Sequence, residues 1–262
     1  MNEAALFDAI FKRKSIRDYD PTPVDSKLLQ KISENLQSLK PLLSGIKTEF
    51  KLISPNQVTR KFRNNAPHYI AAFSEVKEAY KVNVGFMLQQ MDLYFSANGL
   101  GSCWLGIPKP TRDVKESSNL KFVILMSFGN SKETLYRTSV SEFDRESLST
   151  IADVEGGDEL LEPVRLAPSA VNFQNWHFTG DKNAVHAYSS KAGFLRSILG
   201  GSYYPVNMGI ALCHLQLSAE HLGWKTRFIF DSSRDNNPPK NRLYVATLEM
   251  QKPFTGGDAG PR

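Results

Sequence analysis

The chain has 262 residues, enough to bury one large core or two small ones, and its 41% hydrophobic and 23% charged residues are those of an ordinary water-exposed globular protein. No apolar run reaches the roughly 18 residues that a membrane-spanning helix needs, and the opening MNEAALFDAIFKRKS has the pattern of an amphipathic helix, not of a signal peptide, so a cytoplasmic protein without a membrane is expected. The net charge of +5 is spread along the chain among acids, with its densest cluster at Arg60-Lys61-Phe62-Arg63, and no nucleic-acid-binding motif accompanies it. A mild positive excess fits an enzyme whose ligands carry phosphate.

In chain order, helices are expected over 3–14 and 26–38, strands over 49–53 and 69–74, a long apolar helix over 82–98 and a strand over 121–127. The same order then recurs: helices over 144–152 and 157–165, strands over 176–180 and 184–188, a long apolar helix over 205–221 and a strand over 242–249. Gly156-Gly157 and 231–240 read as loops, and the tail 255–262 as disordered. Two motif echoes follow this order. Arg13-Lys14-Ser15-Ile16-Arg17-Asp18-Tyr19-Asp20 is echoed by Arg137-Thr138-Ser139-Val140-Ser141-Glu142-Phe143-Asp144, and Leu93–Gly101 by Leu215–Gly223, at spacings of about 124 and 122 residues. The expectation is an α+β sandwich of two related modules, 1–136 and 137–262, paired as a pseudo-dimer within one chain.

Three segments carry the chemistry. The run Ala167-Pro168-Ser169-Ala170-Val171-Asn172-Phe173-Gln174-Asn175-Trp176 has small side chains that let backbone approach a flat ligand, with Ser169 and Asn172 as hydrogen-bonding groups. Arg13-Lys14-Ser15-Ile16-Arg17 supplies fixed charge and a hydroxyl, and Gly99-Leu100-Gly101-Ser102-Cys103-Trp104-Leu105-Gly106 supplies accessible backbone. Each has an ordinary alternative: loop capping, a solvated basic face, and a helix C-cap at Gly99 and Gly101. Cys103 and Cys213 read as buried free thiols, the five histidines show no metal spacing, and neither a dinucleotide-binding glycine motif nor a Walker loop is present.

Taken together the three segments resemble the flavin-binding elements of the nitroreductase family of FMN-dependent NAD(P)H oxidoreductases, in the subgroup that fuses two modules in one chain. The resemblance implies FMN as cofactor and NADH or NADPH as a transient reductant. It implies that Arg13 clamps the phosphate bidentately with help from Ser15 and Arg137, and that Lys14 bonds the ring or ribityl chain through its backbone. Arg17 would then lie by the N1–O2 edge, where a cation favours the reduced ring. The turn Leu105-Gly106-Ile107 would offer N–H groups to N5 and O4, and Pro168, Ser169, Ala170 and Asn172 would cover the pyrimidine edge from the other module. Gln174 and Trp176 would anchor the loop, and Phe11, Tyr19, Tyr203 and Tyr204 are candidates to line the cavity. No side-chain acid or base is obligatory, and no metal is expected.

The mirror-image site is degenerate: 39–46 keeps the proline of the small-residue loop but not its serine or asparagine, so one FMN per chain is expected. The chain departs from the family pattern at Asn175, where a proline is usual, and at Ala170, where a serine is. Homodimerisation, needed for site formation in most relatives, becomes unnecessary in a fused chain, and a monomer is expected without excluding a dimer. The acceptor is expected to be a small, aromatic molecule. A non-catalytic flavin-binding or interaction protein that keeps the fold is the alternative.

Overall fold

The computed structural model describes residues 1–59, 64–191, 201–234 and 239–252. The basic cluster at 60–63, part of the 231–240 loop and the tail from 255 lie outside the described residues.

Two helices of 18 residues organise the fold. Helix α3 (Tyr80–Ala97) packs on a four-stranded sheet and helix α7 (Tyr204–His221) on a five-stranded one, while the two helices pack on each other. Both are apolar around nearly their whole circumference, the pattern of a helix enclosed on all sides. They meet at reciprocal glycines. A Cβ on Gly85 would lie 2.2 Å from the Val206 carbonyl oxygen, and one on Gly209 would lie 2.0 Å from that of Val82. Any side chain at either position would push the helices apart.

The first sheet runs β1 (Thr48–Ile53), β3 (His68–Ser74), β6 (Lys121–Gly129), β4 (Gly101–Leu105), all antiparallel. The second runs β8 (Trp176–Gly180), β9 (Ala184–Ser190), β11 (Arg242–Gln251), β10 (Lys225–Ile229) in the same antiparallel order, with β7 (Ala152–Val154) added in parallel beside β8. A small two-stranded ribbon joins β2 (Val58–Thr59) to β5 (Lys109–Pro110).

The first sheet is buried on both faces, as strand periodicity shows: Ile70 and Ala72 face α3, while Tyr69, Ala71 and Phe73 face a second apolar cluster with Ile16 and Tyr19. Tyr19 is therefore core, its hydroxyl 3.0 Å from Ser127 Oγ, and does not line a cavity. Phe11 packs edge-on against Phe7.

Remaining helices are α1 (Glu3–Ile10), α2 (Ser26–Gln37), α4 (Arg112–Glu116), α5 (Leu148–Ile151) and α6 (Asp158–Arg165). Two expected helices are shorter. The first ends at Ile10, because Ser15 bridges to Ser102 of β4 and the Ile16 N–H donates to Ser102 O at 2.9 Å, so the chain must be extended there. The expected helix at 144–152 is only the single turn α5; Ala152 is already extended to pair with Phe178. The short strands β4, β7 and β10 were not among the expected elements. Gly99, with φ +77, closes α3 through the Leu100 N–H to Phe95 O bond, so the C-cap reading holds for it. Gly101 serves differently: a Cβ there would meet Ile16 at 2.7 Å.

Candidate functional site

The extended segment after α1 turns Arg13 inward. Its side chain is 2% exposed, with Nε 2.9 Å from Asp92 Oδ2 on α3 and Nη2 donating to Ser15 Oγ at 3.3 Å. The Arg13–Asp92 contact is an ion pair by distance, without the in-line geometry of a hydrogen bond. The guanidinium thus engages protein groups where the family resemblance implied an open phosphate clamp.

Asp92 anchors a buried polar chain. Ser102 Oγ donates to its Oδ1 at 2.6 Å and Gln89 Nε2 to its Oδ2 at 3.2 Å. The same amide lies 3.0 Å from His214 Nε2 on α7, and His214 Nδ1 is 2.8 Å from the carbonyl of Pro163 in α6. A carbonyl only accepts, so Nδ1 carries a proton; the Gln89 NH2 only donates, so Nε2 accepts and His214 is neutral. Burial drives its pKa down to about 3, and the Arg13 and Arg145 charges push the same way against the Pro163 bond.

Around Arg13 stand two further arginines. Arg137 is held by its N–H to Lys12 O at 2.8 Å, by a short bond from Nη1 to Arg13 O, and by stacking 4.1 Å over the Phe143 ring. Burial lowers its pKa, and the neighbouring charge of Arg13 adds to that. Arg145 is half-buried beyond the same ring. Its Nη1 donates to Asp144 O at 2.8 Å and to Asn172 Oδ1 at 2.9 Å, and Nη2 to Leu166 O at 3.3 Å. Its Nε is buried with no partner among the described residues, and burial together with Arg13 and Arg137 brings its pKa down to about 10. Among the described residues neither Arg137 nor Arg145 has a carboxylate ion-pair partner. Among the described residues Asp92 is the one buried carboxylate beside the three guanidiniums, while Glu142 and Asp144 attract Arg137 and Arg145 from exposed positions. Arg145 is the residue that sequence reasoning missed, because a lone arginine between two acids looks like a solvated face.

The small-residue loop folds onto Arg145. Asn172 Oδ1 accepts from it while Nδ2 donates to Asp144 O at 3.0 Å. Ser169 Oγ is used internally, accepting the Gln174 N–H at 3.0 Å, and the Ala170 N–H donates to Asn207 Oδ1 of α7 at 3.0 Å. Val171, Asn172 and Gln174 all have φ between 44° and 59°. A β-branched residue in that region is strained, and such strain concentrates at ligand sites. Pro168 is buried and Trp176 is core. Asn175 is buried too, accepting from Asn207 Nδ2 at 2.7 Å and donating to Ser189 Oγ at 3.1 Å, a tie between loop and α7 that a proline would not make. Gln174 Oε1 accepts the Glu146 N–H at 2.9 Å.

Strand β4 leads from Ser102 to the turn at Gly106. There Trp104 packs toward the main core and Leu105 toward the second cluster. The Gly106 and Ile107 N–H groups have no hydrogen-bond partner among the described residues. The Gly106 carbonyl accepts from Tyr203 Oη at 2.6 Å and from Lys109 Nζ at 3.2 Å. Lys14 pairs with Glu133 at 3.3 Å, and Glu133 also accepts the Arg17 N–H at 2.8 Å; the Arg17 side chain is exposed. The structure therefore brings Arg13, Arg137 and Asn172 together around Arg145, with Ser15 bonded to Arg13. It sets Gly106 at the far end of the strand that Ser15 joins. Among the described residues no cluster of three His, Cys, Asp or Glu side chains forms a metal site, and no helix is long and apolar enough to cross a membrane.

The class this defines is a mixed α+β protein with two sheets packed on a central helix pair and a cluster of three arginines, Arg13, Arg137 and Arg145, beside them. The family model described as "Putative TM nitroreductase" matches residues 5–219, and the chain belongs to that nitroreductase family. The crystal structure of a Thermotoga maritima protein described as a "putative nitroreductase" superposes over 95% of this chain and 94% of its own, with a TM-score of 0.64 at 22% identity. An FMN-dependent nitroreductase of Clostridium difficile matches 52% of this chain and 93% of its own at TM-score 0.42 and 21% identity. Comparison with curated proteins gives no match.

Proposed function

We propose that this chain is an FMN-dependent oxidoreductase that takes hydride from NADH or NADPH and passes it to a small, aromatic acceptor. The observation that carries this reading is the three-arginine cluster with the Arg145 Nε that has no partner among the described residues. Arg137 and Arg145 repel each other and Arg13 and have no ion-pair carboxylate among the described residues, so a bound dianion would stabilise them, and a phosphate monoester supplies that charge. FMN, when bound, supplies hydride acceptance and donation at N5. Arg137 and Arg145 would hold its phosphate, with Ser15 and the Nη edge of Arg13. The free N–H groups of Gly106 and Ile107 would meet the ring edge, and Asn172 would fix the loop that covers it. Arg17, exposed and unpaired by any described carboxylate, would contribute positive field at N1.

The proposed site is composite. Arg13, Ser15 and Gly106 come from the first module, Arg145 and Asn172 from the second. The reciprocal contacts of Gly85 and Gly209 and the shared strand order support reading the two halves as a fused pseudo-dimer, since a two-fold interface makes each contact twice. Its second site is degenerate: Gln216 stands where the repeat would place the partner of Asp92, and it bonds Thr226 and Glu220 instead of an arginine.

The test is FMN binding to the purified chain, quantified per polypeptide, followed by anaerobic addition of NADH or NADPH. One equivalent of flavin that bleaches on addition supports the enzyme. Bound flavin that stays oxidised supports the binding-protein alternative, two equivalents remove the degenerate-twin reading, and no binding removes the proposal.

A further inference from the structure

The Gly106 turn has a feature that membership of the family does not account for. Its carbonyl is gripped by two side chains from outside β4: Tyr203, at the entry to α7, donates its hydroxyl at 2.6 Å, and Lys109 donates its ammonium at 3.2 Å. These two also lie 3.4 Å apart, and Lys109 is steadied 5.3 Å over the Phe122 ring. Gly106 is required for the arrangement, because a Cβ there would sit 2.8 Å from Tyr203 Cε2. At the position that the internal repeat makes equivalent to Tyr203 stands Ala79, which has no hydroxyl to donate.

In a trans peptide the carbonyl and the following N–H point in opposite directions, and no described peptide is cis. Fixing Gly106 O therefore fixes the Ile107 N–H, which has no hydrogen-bond partner among the described residues and belongs to a residue 63% exposed. Two donors on one carbonyl also polarise that peptide and make its N–H a stronger donor. We infer that Tyr203 and Lys109 are positioning residues that together aim and sharpen the Ile107 N–H as a hydrogen-bond donor to the flavin ring. This rests on the FMN reading above. It means that the donor from the first module is set by a side chain of the second, so that correct docking of the two modules is a condition for ring binding.

The experiment uses the full chain labelled with 15N-isoleucine, as wild type, Tyr203→Phe and Lys109→Gln, titrated with FMN. Tyr203→Phe keeps the ring against Gly106 and removes only the hydroxyl. In the ligand-free chain it is expected to move the Ile107 cross-peak upfield in 15N, with Lys109→Gln moving it the same way, while buried reporters such as Ile70 and Ile124 stay in place. FMN is expected to shift the wild-type Ile107 peak, and Tyr203→Phe to weaken FMN about three- to tenfold, the worth of one neutral hydrogen bond. FMN that saturates the chain without moving Ile107 overturns the positioning role and leaves the FMN reading intact. An unchanged Ile107 peak and FMN affinity in Tyr203→Phe also overturns the role. No binding of FMN by wild type overturns both.

Discussion

Asp92 holds its carboxylate 2.9 Å from the Arg13 guanidinium with both side chains almost wholly out of solvent, and this pair ties the N-terminal segment to the central helix α3. A buried ion pair adds little over a well-packed apolar pair, but removing one partner strands a charge. Asp92→Asn is therefore expected to cost about 3–5 kcal/mol, whereas Asp92→Asn combined with Arg13→Met recovers much of that loss. Urea unfolding of the two single variants and the double variant gives the cycle. A simple sum of the single effects in the double variant would show that the two side chains act independently.

The helix crossing makes a sharper demand on sequence. At Gly85 and Gly209 an added Cβ meets backbone at 2.2 and 2.0 Å, and backbone cannot swing aside as a flexible side chain can. Each glycine-to-alanine change is expected to cost at least about 2 kcal/mol by overpacking. Gly45→Ala, with nothing within 4 Å of its Cβ, serves as the control and is expected to stay within about 1 kcal/mol of wild type. Thermal unfolding of the three variants checks this, and equal losses at all three sites would contradict it.

His214 gives the fold a pH dependence of known sign. Its folded pKa of about 3 lies below the unfolded value near 6.5, so below pH 6.5 the unfolded chain binds the extra proton. Stability from this group is present above pH 6.5 and is lost as pH falls toward 3, on the order of 1 kcal/mol per pH unit. The charged groups that face it are Arg13 and Arg145, and both deepen the effect. His214→Gln is expected to flatten the slope between pH 6.5 and 4.5 relative to wild type. Parallel stability profiles for the two proteins would assign the acid sensitivity to carboxylates.

Arg145 should separate phosphate recognition from ring recognition. Arg145→Met is expected to weaken FMN by about ten- to a hundredfold, the range for a hydrogen bond to a charged group, and to leave riboflavin, which lacks the phosphate, unchanged. Flavin fluorescence titrations with both ligands measure the difference. Equal losses for FMN and riboflavin would place Arg145 in the scaffold of the loop instead.

Much of this arrangement was legible beforehand, and the rest fails for identifiable reasons. The long helices α3 and α7 and the central strands β3 and β6 announce themselves by apolar runs, because elements enclosed on both sides need them. Strands β4, β7 and β10 are short and flank the sheets, so five or fewer residues carry too little pattern. The segment 143–147 has residues that suit a helix, yet Arg145 and the Glu146 N–H are taken up by Asn172 and Gln174. Long-range contacts there override local propensity. The same contacts create the burial that makes Arg145 important, and no window of sequence around it contains that information. Arg13 illustrates the converse: its motif was recognised, but its counter-charge Asp92 lies far along the chain inside an apolar helix.

The loop 169–174 beside the arginine cluster stores strain that can be released without touching the bond between Asn172 and Arg145. Val171 has φ 45° and ψ 30° and is 68% exposed, so its β-branched side chain sits in the left-handed region without packing to compensate. Left-handed backbone costs an ordinary residue roughly 1–2 kcal/mol, and glycine escapes that cost while losing some of the gain to its freer unfolded state. Val171→Gly is expected to raise stability by about 0.5–1 kcal/mol. Neighbouring Asn172, also left-handed, tolerates that conformation better because its side chain is short and polar, and it is bonded on both sides by Arg145 and Asp144. Chemical denaturation of Val171→Gly beside Asn172→Gly measures the contrast. The first is expected to stabilise and the second to destabilise, since Asn172→Gly removes the bond to Arg145; destabilisation by both would mean that the Val171 side chain itself holds the loop.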